Sequence, residues 1–284
     1  MLEIYNDTIK AIINPVGAEL EGLFINDINI LWERNEQIWN SQSPILFPIV
    51  GGLKDGYYIY NDDVYKLPSH GFVRNMDFKV EIKQQNKLVL SHSYDNNTLA
   101  CYPFKYKLLV GYEIINKELN VNISVINLDE KDIYFSVGFH PGFSYTGLKS
   151  ICGNDLSLNI NPNKTNEILF SPSYYVGNEE KTFKETSFNE ITKELIIKRT
   201  LCYQNIDKVE VKCDKKLSFF TNMEYVAFWQ KSPEDNPTFL CIEGWNGLPD
   251  SVNTNHRIED KIGIIKLEKY KTHNSLFKIK VEGK

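Results

Sequence analysis

The sequence predicts an all-β fold of antiparallel strands with little helix. Three observations carry that expectation. Runs rich in β-favouring residues recur along the whole chain, several of them alternate apolar with polar residues, and short polar turn segments separate them. The first run is Thr8–Ile13. Leu88–His92 follows, and then Tyr106–Ile115, Leu119–Ile126 and Ile133–Phe139. In Leu119–Ile126, Val121, Ile123 and Val125 fall on one side and Asn120, Asn122 and Ser124 on the other. Asn-Lys-Glu at 116–118 and Asp-Glu-Lys at 129–131 join these runs into an expected antiparallel meander from 106 to 139. Residues 150–190, rich in Asn, Lys, Ser and Glu, read as long loops. The best helix start is Ser187, where Ser187-Phe188-Asn189-Glu190 fits a capping box ahead of Ile191 and Leu195. Lys208–Val211, Leu217–Phe220, Thr238–Ile242, Gly263–Leu267 and Leu276–Val281 complete the strands.

Composition bounds the function. The chain has 284 residues, 42% of them apolar and 24% charged, which is enough to bury a large core. All-β folds of this length are often one domain, and no linker or internal repeat divides residues 1–284. A net charge of −5 with scattered Lys and Arg argues against a nucleic-acid partner. No window approaches the ~20 apolar residues of a membrane span. The N-terminus lacks a basic segment followed by an apolar one, so a cytoplasmic location is expected. Cys101, Cys152, Cys202, Cys213 and Cys241 are odd in number and widely spaced, which fits reduced thiols and no zinc site. The oligomeric state, a homodimer included, stays open. H-E-x-x-H, G-x-S-x-G, Walker and G-x-G-x-x-G motifs are all missing.

Three positions stand out. His140 ends a β-rich run that Pro141-Gly142 stops, since Pro141 has no N–H to give a ladder. Alternation groups Tyr134, Ser136, Gly138 and His140 on a face opposite Ile133, Phe135, Val137 and Phe139. Gly138 would leave a hollow beside His140. The plain alternative is an edge histidine bonded to a carbonyl. Glu243 follows Phe239, Leu240, Cys241 and Ile242 and shares a face with Phe239, Cys241 and Trp245. Poor hydration there raises a carboxyl pKa toward neutrality, which suits a general base. The plain alternative is a strand that ends at Gly244 and lets the carboxylate out. His70, between Pro68 and Gly71, sits on a turn, with Arg74 four residues on to hold a hydroxyl or an anion. A solvent-exposed loop histidine fits that turn equally well. His92, His256 and His273 receive no role, the last two lying in polar C-terminal loops. Aromatics make up 13% of the chain, and Trp229, Trp245 and Phe143 fall near the candidates. Flat aromatic faces beside polar groups suit sugar rings.

SPILFPIVGGLKDGYY at 43–58, LPSHGFVR at 67–74, VGFHPGF at 137–143 and FLCIEGWNGLPD at 239–250 together resemble the aldose 1-epimerase (galactose mutarotase-like) superfamily, and most of all its LacX-like branch. Ile9, Ala11, Ile13, Gly17, Ala18 and Leu20, leading to LWER, are similar to the family's first hairpin. The resemblance covers nearly the whole chain. It implies a β-supersandwich of two large antiparallel sheets and a cofactor-free, metal-free interconversion of the α and β anomers of a free aldose. It also implies Glu243 as general base, a charged His140 as general acid and His70 as a sugar ligand beside the ring oxygen. Arg74 and Trp229 join it as expected substrate contacts. Two positions depart from the family pattern. Gly52 stands where the family carries an arginine, with Lys54 as a partial substitute, and Gly244 replaces a proline, loosening the backbone beside the base. Two other readings keep the fold. One is a hexose-6-phosphate epimerase, which needs a cationic pocket. The other is a carbohydrate-binding or sensing protein that has lost turnover. A glycoside hydrolase would need a second carboxylate, for which Asp207 and Asp250 are the candidates.

Overall fold

A computed structural model describes residues 1–152, 157–177, 182–187, 191–192, 196, 199–211, 217–231 and 238–282. Among them two large antiparallel sheets dominate. The nine-stranded sheet runs in the order Ile191–Thr192, Ser157–Asn161, Lys208–Val211, Leu217–Thr221, Thr272–Val281, Glu118–Asn127, Tyr106–Ile115, Lys87–Ser93 and Lys79–Lys83. The eight-stranded sheet runs Phe183–Ser187, Lys164–Ile168, Leu201–Gln204, Tyr225–Trp229, Phe239–Asn246, Val137–Phe139 and Ile45–Leu46, with Gly142–Ser144 also paired to Phe239–Asn246. A four-stranded N-terminal sheet contains the expected first hairpin, Ile9–Asn14 with Glu19–Ile25. The two described helices that carry bounds, Asn96–Cys101 and Tyr145–Cys152, are short.

The core lies between the two large sheets. Rings meet across it: Phe139 and Phe277 at 5.3 Å, and Phe143 and Phe219 at 4.8 Å between centroids. Alternation explains which residues enter. In Glu118–Asn127, Val121, Ile123 and Val125 are fully buried and Asn122 is exposed, as the pattern predicts.

Several expectations fail for tertiary reasons. The meander holds for Tyr106–Ile115 and Glu118–Asn127, but the third strand does not join it. Thr272–Val281 already occupies the free edge of Glu118–Asn127 over nine paired positions. The 133–139 run instead breaks at Ser136: Ile133–Phe135 pairs with Ile265–Leu267, and Val137–Phe139 enters the other sheet. Residues 150–190 are not long loops, since Ser157–Asn161, Lys164–Ile168 and Phe183–Ser187 are strands. All three lie at or beside a sheet margin, where few apolar residues are needed. No helix starts at Ser187, which pairs with Lys164 as the end of a strand, and Ile191–Thr192 is a strand as well. Ladder pairing has overridden the local cap pattern. Glu190 and Leu195 lie outside the described residues. His273 belongs to the Thr272–Val281 strand rather than to a loop. The reduced-thiol expectation fails at Cys152, which is disulfide-bonded, while Cys101, Cys202 and Cys241 are free. Cys213 lies outside the described residues. No described helix is long and apolar enough to cross a membrane.

Candidate active site

His140 and Glu243 meet because one antiparallel register runs through both. Val137, Gly138 and Phe139 pair with Asn246, Trp245 and Gly244, and Gly142 pairs with Cys241. The same register places His140 opposite Glu243 and Pro141 opposite Ile242, and Ile242 N–H donates to Pro141 O at 3.3 Å. Pro141 interrupts the ladder here, as expected. On the other side His140 N–H donates to Pro44 O at 3.1 Å, which ties it to the SPILFP segment. Phe239–Asn246 does not end at Gly244. All eight of its residues are buried, so Glu243 stays in the interior with no exposure.

The pair is a close one. His140 Nε2 lies 3.1 Å from Glu243 Oε2, and the same oxygen accepts from the Trp245 indole Nε1–H at 2.9 Å. Glu243 Oε1 and His140 Nδ1 are buried and have no partner. Burial pushes the Glu243 carboxyl well above its usual range, an effect the Trp245 hydrogen bond opposes. Burial first, and then the neighbouring His70 and the Arg74 charge, push the His140 imidazole well below its usual range. A charged resting His140 is therefore not what the site favours. The pair instead shares one proton in its uncharged form, with Glu243 as the acid and His140 Nε2 as the acceptor.

The expected hollow at Gly138 is occupied. A Cβ there would lie 3.0 Å from Trp245 Cδ1 and 3.1 Å from Gly244 O. The missing side chain admits the Trp245 indole that bonds Glu243. Gly244 does not loosen the strand either, because it is paired with Phe139 on one side and Val226 on the other.

His70 completes the constellation. Its ring meets that of His140 edge-on at 5.5 Å. The residue adopts φ 64°, a strained choice for a side chain with a Cβ. Two reciprocal bonds hold it: His70 N–H donates to Gly51 O at 2.8 Å, and Gly51 N–H donates to His70 Nδ1 at 3.1 Å. Gly51 itself has φ 68°, and a Cβ on it would lie 2.3 Å from Pro249 Cγ, so only glycine fits. With Nδ1 accepting, a neutral ring carries its proton on Nε2. Burial, followed by the Arg74 charge, lowers the His70 pKa to about 4, so the ring is neutral at pH 7. The motifs at 43–58, 67–74 and 239–250 thus interlock at one place.

These groups line a cavity of about 520 Å³. His70, Arg74, His140, Trp229 and Glu243 all face it, so every predicted site residue is brought together. Trp229 stands perpendicular to His140 at 5.6 Å, and Arg74 Nη2 donates to Ser69 O at 3.2 Å. Trp39, which sequence reasoning missed, packs on His140 at 5.1 Å. It comes from an irregular polar segment with no periodic signal. Tyr174, Thr200, Gln230 and Lys231 also line the cavity and were missed. Phe143 does not reach the site, being fully buried in the core. Lys54 does not replace the absent arginine, because its Nζ donates to Val252 O at 2.7 Å and the residue does not line the cavity. Asp250 is buried against Lys261 at 3.3 Å, and Asp207 accepts from Asn161 Nδ2 at 2.9 Å. Glu243 is the one carboxylate among the cavity's described lining residues, which leaves a glycosidase without its second acid. Donor atoms of His140, Cys241 and Glu243 lie within 4.8 Å of one another, close enough to share a metal. Burial, and then the nearby Glu243, push the Cys241 thiol well up, which works against the thiolate such a metal needs.

The family model for aldose 1-epimerase matches residues 1–263. Protein LacX (chromosomal) of Lactococcus lactis subsp. lactis is 25% identical over 283 residues, covering 94% of each chain. A galactose mutarotase related enzyme from Lactobacillus acidophilus superposes with a TM-score of 0.90 at 28% identity, over 99% of this chain and 97% of that one. A galactose mutarotase-like protein from Lactobacillus casei gives 0.86 at 24% identity, over 99% and 100%. With the family model spanning nearly the full length, and with relatives of the LacX type along all of it, the chain belongs to the aldose 1-epimerase superfamily, in its LacX-like branch.

Proposed function

We propose that the protein is an aldose 1-epimerase that interconverts the α and β anomers of a free aldose by acid/base ring opening and closure. One observation carries the reading. An imidazole and a carboxyl that line a cavity share a 3.1 Å contact, and each keeps a buried atom without a partner. A protein that only binds sugars has no need of a titratable pair held out of water.

The reaction moves protons and breaks one bond. Glu243 takes the proton of the C1 hydroxyl while His140 delivers a proton to the ring oxygen, and the C1–O5 bond breaks. C1–C2 rotates, and closure on the other face reverses both transfers. Each transfer typically contributes about 10²–10⁴-fold. The two oxygens share one carbon, so acid and base must be near neighbours, as a cross-strand pair is. Opening turns Glu243 carboxylate and His140 imidazolium into carboxylic acid and neutral imidazole. Before opening, the proton that the pair shares at rest must therefore pass from Glu243 to His140 Nε2 across their 3.1 Å contact, and opening returns the pair to its uncharged form. His70, neutral with its proton on Nε2, donates to a sugar oxygen, and Arg74 and Trp229 hold the ring.

Polarimetry on fresh α-D-glucose and α-D-galactose tests the reading. Wild type should speed mutarotation, and Glu243→Gln and His140→Asn should each lower kcat by about 10²-fold or more while thermal stability persists. A near-normal rate in either variant would remove that residue from its role. Arg74 and Lys231 are the cations among the described lining residues, so glucose 6-phosphate belongs in the same assay.

A further inference from the structure

We propose that Glu19, which does not line the cavity, is a positioning residue for His140: its carboxylate pins residues 42 and 43 and, through them, holds Trp39 and Pro44 against the His140 ring and backbone. The effect on rate rests on the mutarotase reading. The effect on the His140 ring does not, and it can be measured without turnover.

The segment that needs a pin is irregular. Between the strands Ile28–Asn29 and Ile45–Leu46 the chain forms isolated bridges but no strand or helix, so no ladder fixes its place. Yet it supplies two contacts to His140. The Trp39 ring lies over the imidazole at 5.1 Å, and Pro44 O accepts from His140 N–H at 3.1 Å. Trp39 also stacks on Phe239 at 5.2 Å and meets Trp229 edge-on at 5.5 Å. A Cβ on Gly142 would lie 2.6 Å from Trp39 Cζ3, so the indole rests directly on the backbone just past His140.

Glu19 supplies the pin. It belongs to the Glu19–Ile25 strand of the N-terminal sheet and is buried, an expensive place for a carboxylate without partners. Its Oε1 accepts from the N–H groups of Gln42 at 2.8 Å and Ser43 at 3.0 Å, and its Oε2 accepts from Arg34 Nη2 at 2.8 Å. Two successive backbone donors converge on one charged oxygen, and a side chain with no acceptor would strand both. Gln42 carries the connection onward. Its Nε2 donates to Glu21 O at 2.9 Å and Trp32 O at 2.8 Å, and its carbonyl accepts from Gly142 N–H at 2.8 Å. Trp32 N–H donates to Gly142 O at 2.9 Å, and the Trp32 indole donates to Trp39 O at 3.1 Å. An unbroken run of hydrogen bonds thus joins Glu19 to both sides of the Trp39 indole and to the turn after His140.

What the pin secures is the state of the ring. Glu243 and Cys241 face His140 from Phe239–Asn246, and His70 and Arg74 face it from the 67–74 turn. Burial is the largest influence on its proton affinity, and Trp39 is part of what buries it. With residues 42 and 43 released, Trp39 lifts, water reaches the imidazole, and its pKa climbs back toward 6.5. The Nε2 contact with Glu243 loosens with it, and a misplacement of about 1 Å in a reacting group can cost up to about 10²-fold. Arg74 feels the same carboxylate, whose charge opposes the lowering that burial imposes on the guanidinium.

The test follows the His140 ring by NMR in protein carrying ¹⁵N-labelled histidine, with His140→Asn assigning the resonance, and mutarotation of α-D-glucose beside it. Wild type, Glu19→Ala and Glu19→Gln are compared. In wild type the ring should stay neutral as the pH falls past 6.5. In Glu19→Ala it should titrate at higher pH than in wild type, and kcat should fall about tenfold. Glu19→Gln discards the charge but keeps an oxygen that can accept from both N–H groups, so it should restore both readings. An unmoved titration in Glu19→Ala overturns the proposal, as does a Glu19→Gln variant as impaired as the alanine one. A moved titration with an unchanged kcat in an active background overturns it as well. Should Glu19→Ala fail to fold, Glu19→Asp takes its place, since it keeps the charge for Arg34 but is one methylene short of residues 42 and 43. Wild type that leaves mutarotation unaccelerated would count against the reaction class alone, and the titration would still decide whether Glu19 positions the ring.

Discussion

Glu243 Oε2 accepts from the Trp245 indole while Oε1 has no partner, so one oxygen is committed and the other is available. That division makes Trp245 the residue that tunes the proposed base. Its hydrogen bond lowers a carboxyl pKa that burial raises. Trp245→Phe keeps most of the ring and removes the donor, so the Glu243 pKa should rise further. The acid limb of kcat/KM against pH should then move to higher pH, with a fall of about tenfold in kcat near neutrality. An unmoved limb would mean that the indole only fills space. Gly52 offers the converse experiment. A Cβ there meets only Tyr175 Cε1, at 3.9 Å, so Gly52→Arg can be built without moving the backbone. An arginine fork should lower KM for hexoses, and an unchanged KM would place the sugar elsewhere in the cavity. His140, Glu243 and His70 were legible in the sequence because a titratable group at a strand end or in a glycine-flanked turn breaks a local pattern. Trp39 was not, because its contact with His140 spans 101 residues of chain and nothing local marks it. Gly138 was noticed but misread: the absent side chain makes room for a protein ring, not for a ligand.

The elements that hold the site are fixed by a buried charge. Asp250 Oδ2 accepts from Lys54 N–H at 2.9 Å, its Oδ1 lies 3.3 Å from Lys261 Nζ, and its own N–H donates to Gly52 O at 3.0 Å. One carboxylate thereby joins the segment after Gly51, the end of the Phe239–Asn246 strand and the loop near Ile258–Asp260. Lys261 Nζ also donates to Leu248 O. Both partners are buried, at 2% and 6% exposure, so removing one strands the other. Lys261→Met should cost about 3–5 kcal/mol in urea unfolding, and adding Asp250→Asn should restore part of the loss. A cost within about 0.5 kcal/mol would show the pair to be screened by solvent. Strands with clear alternation, such as Glu118–Asn127, could be read at this scale almost to the residue. The Ser187 segment could not. Its capping pattern is a local preference of about 1 kcal/mol, which ladder pairing with Lys164–Ile168 outweighs.

At the scale of the whole molecule, alternation shows which faces are buried but not which strands are neighbours. Antiparallel sheets and scarce helix were legible for that reason, while the place of the 133–139 run was not: its partners are Ile265–Leu267 and Phe239–Asn246, more than 100 residues downstream, and Ile45–Leu46, far upstream. Folding that brings such distant segments together also buries His70 and His140 beside Arg74, and this links global stability to pH. In the folded protein the His70 pKa is about 4, against an ordinary value of 6.5, and that of His140 is lowered as well. Between pH 6.5 and 4 the unfolded chain therefore binds more protons at these rings than the native one, and stability falls as pH drops through that window. Glu243 acts with the opposite sign. Its native pKa is raised, so the native state binds the extra proton, and that contribution weakens stability as pH rises above 4.5. The wild-type slope is the difference between these effects, and single variants separate them. Each proton of difference is worth about 1.4 kcal/mol per pH unit. His70→Asn should flatten the fall of Tm between pH 6.5 and 4, whereas Glu243→Gln should steepen it. Parallel Tm curves for all three proteins would show that neither ring nor carboxyl changes its proton affinity on folding, and the electrostatic account of the site would fail with them.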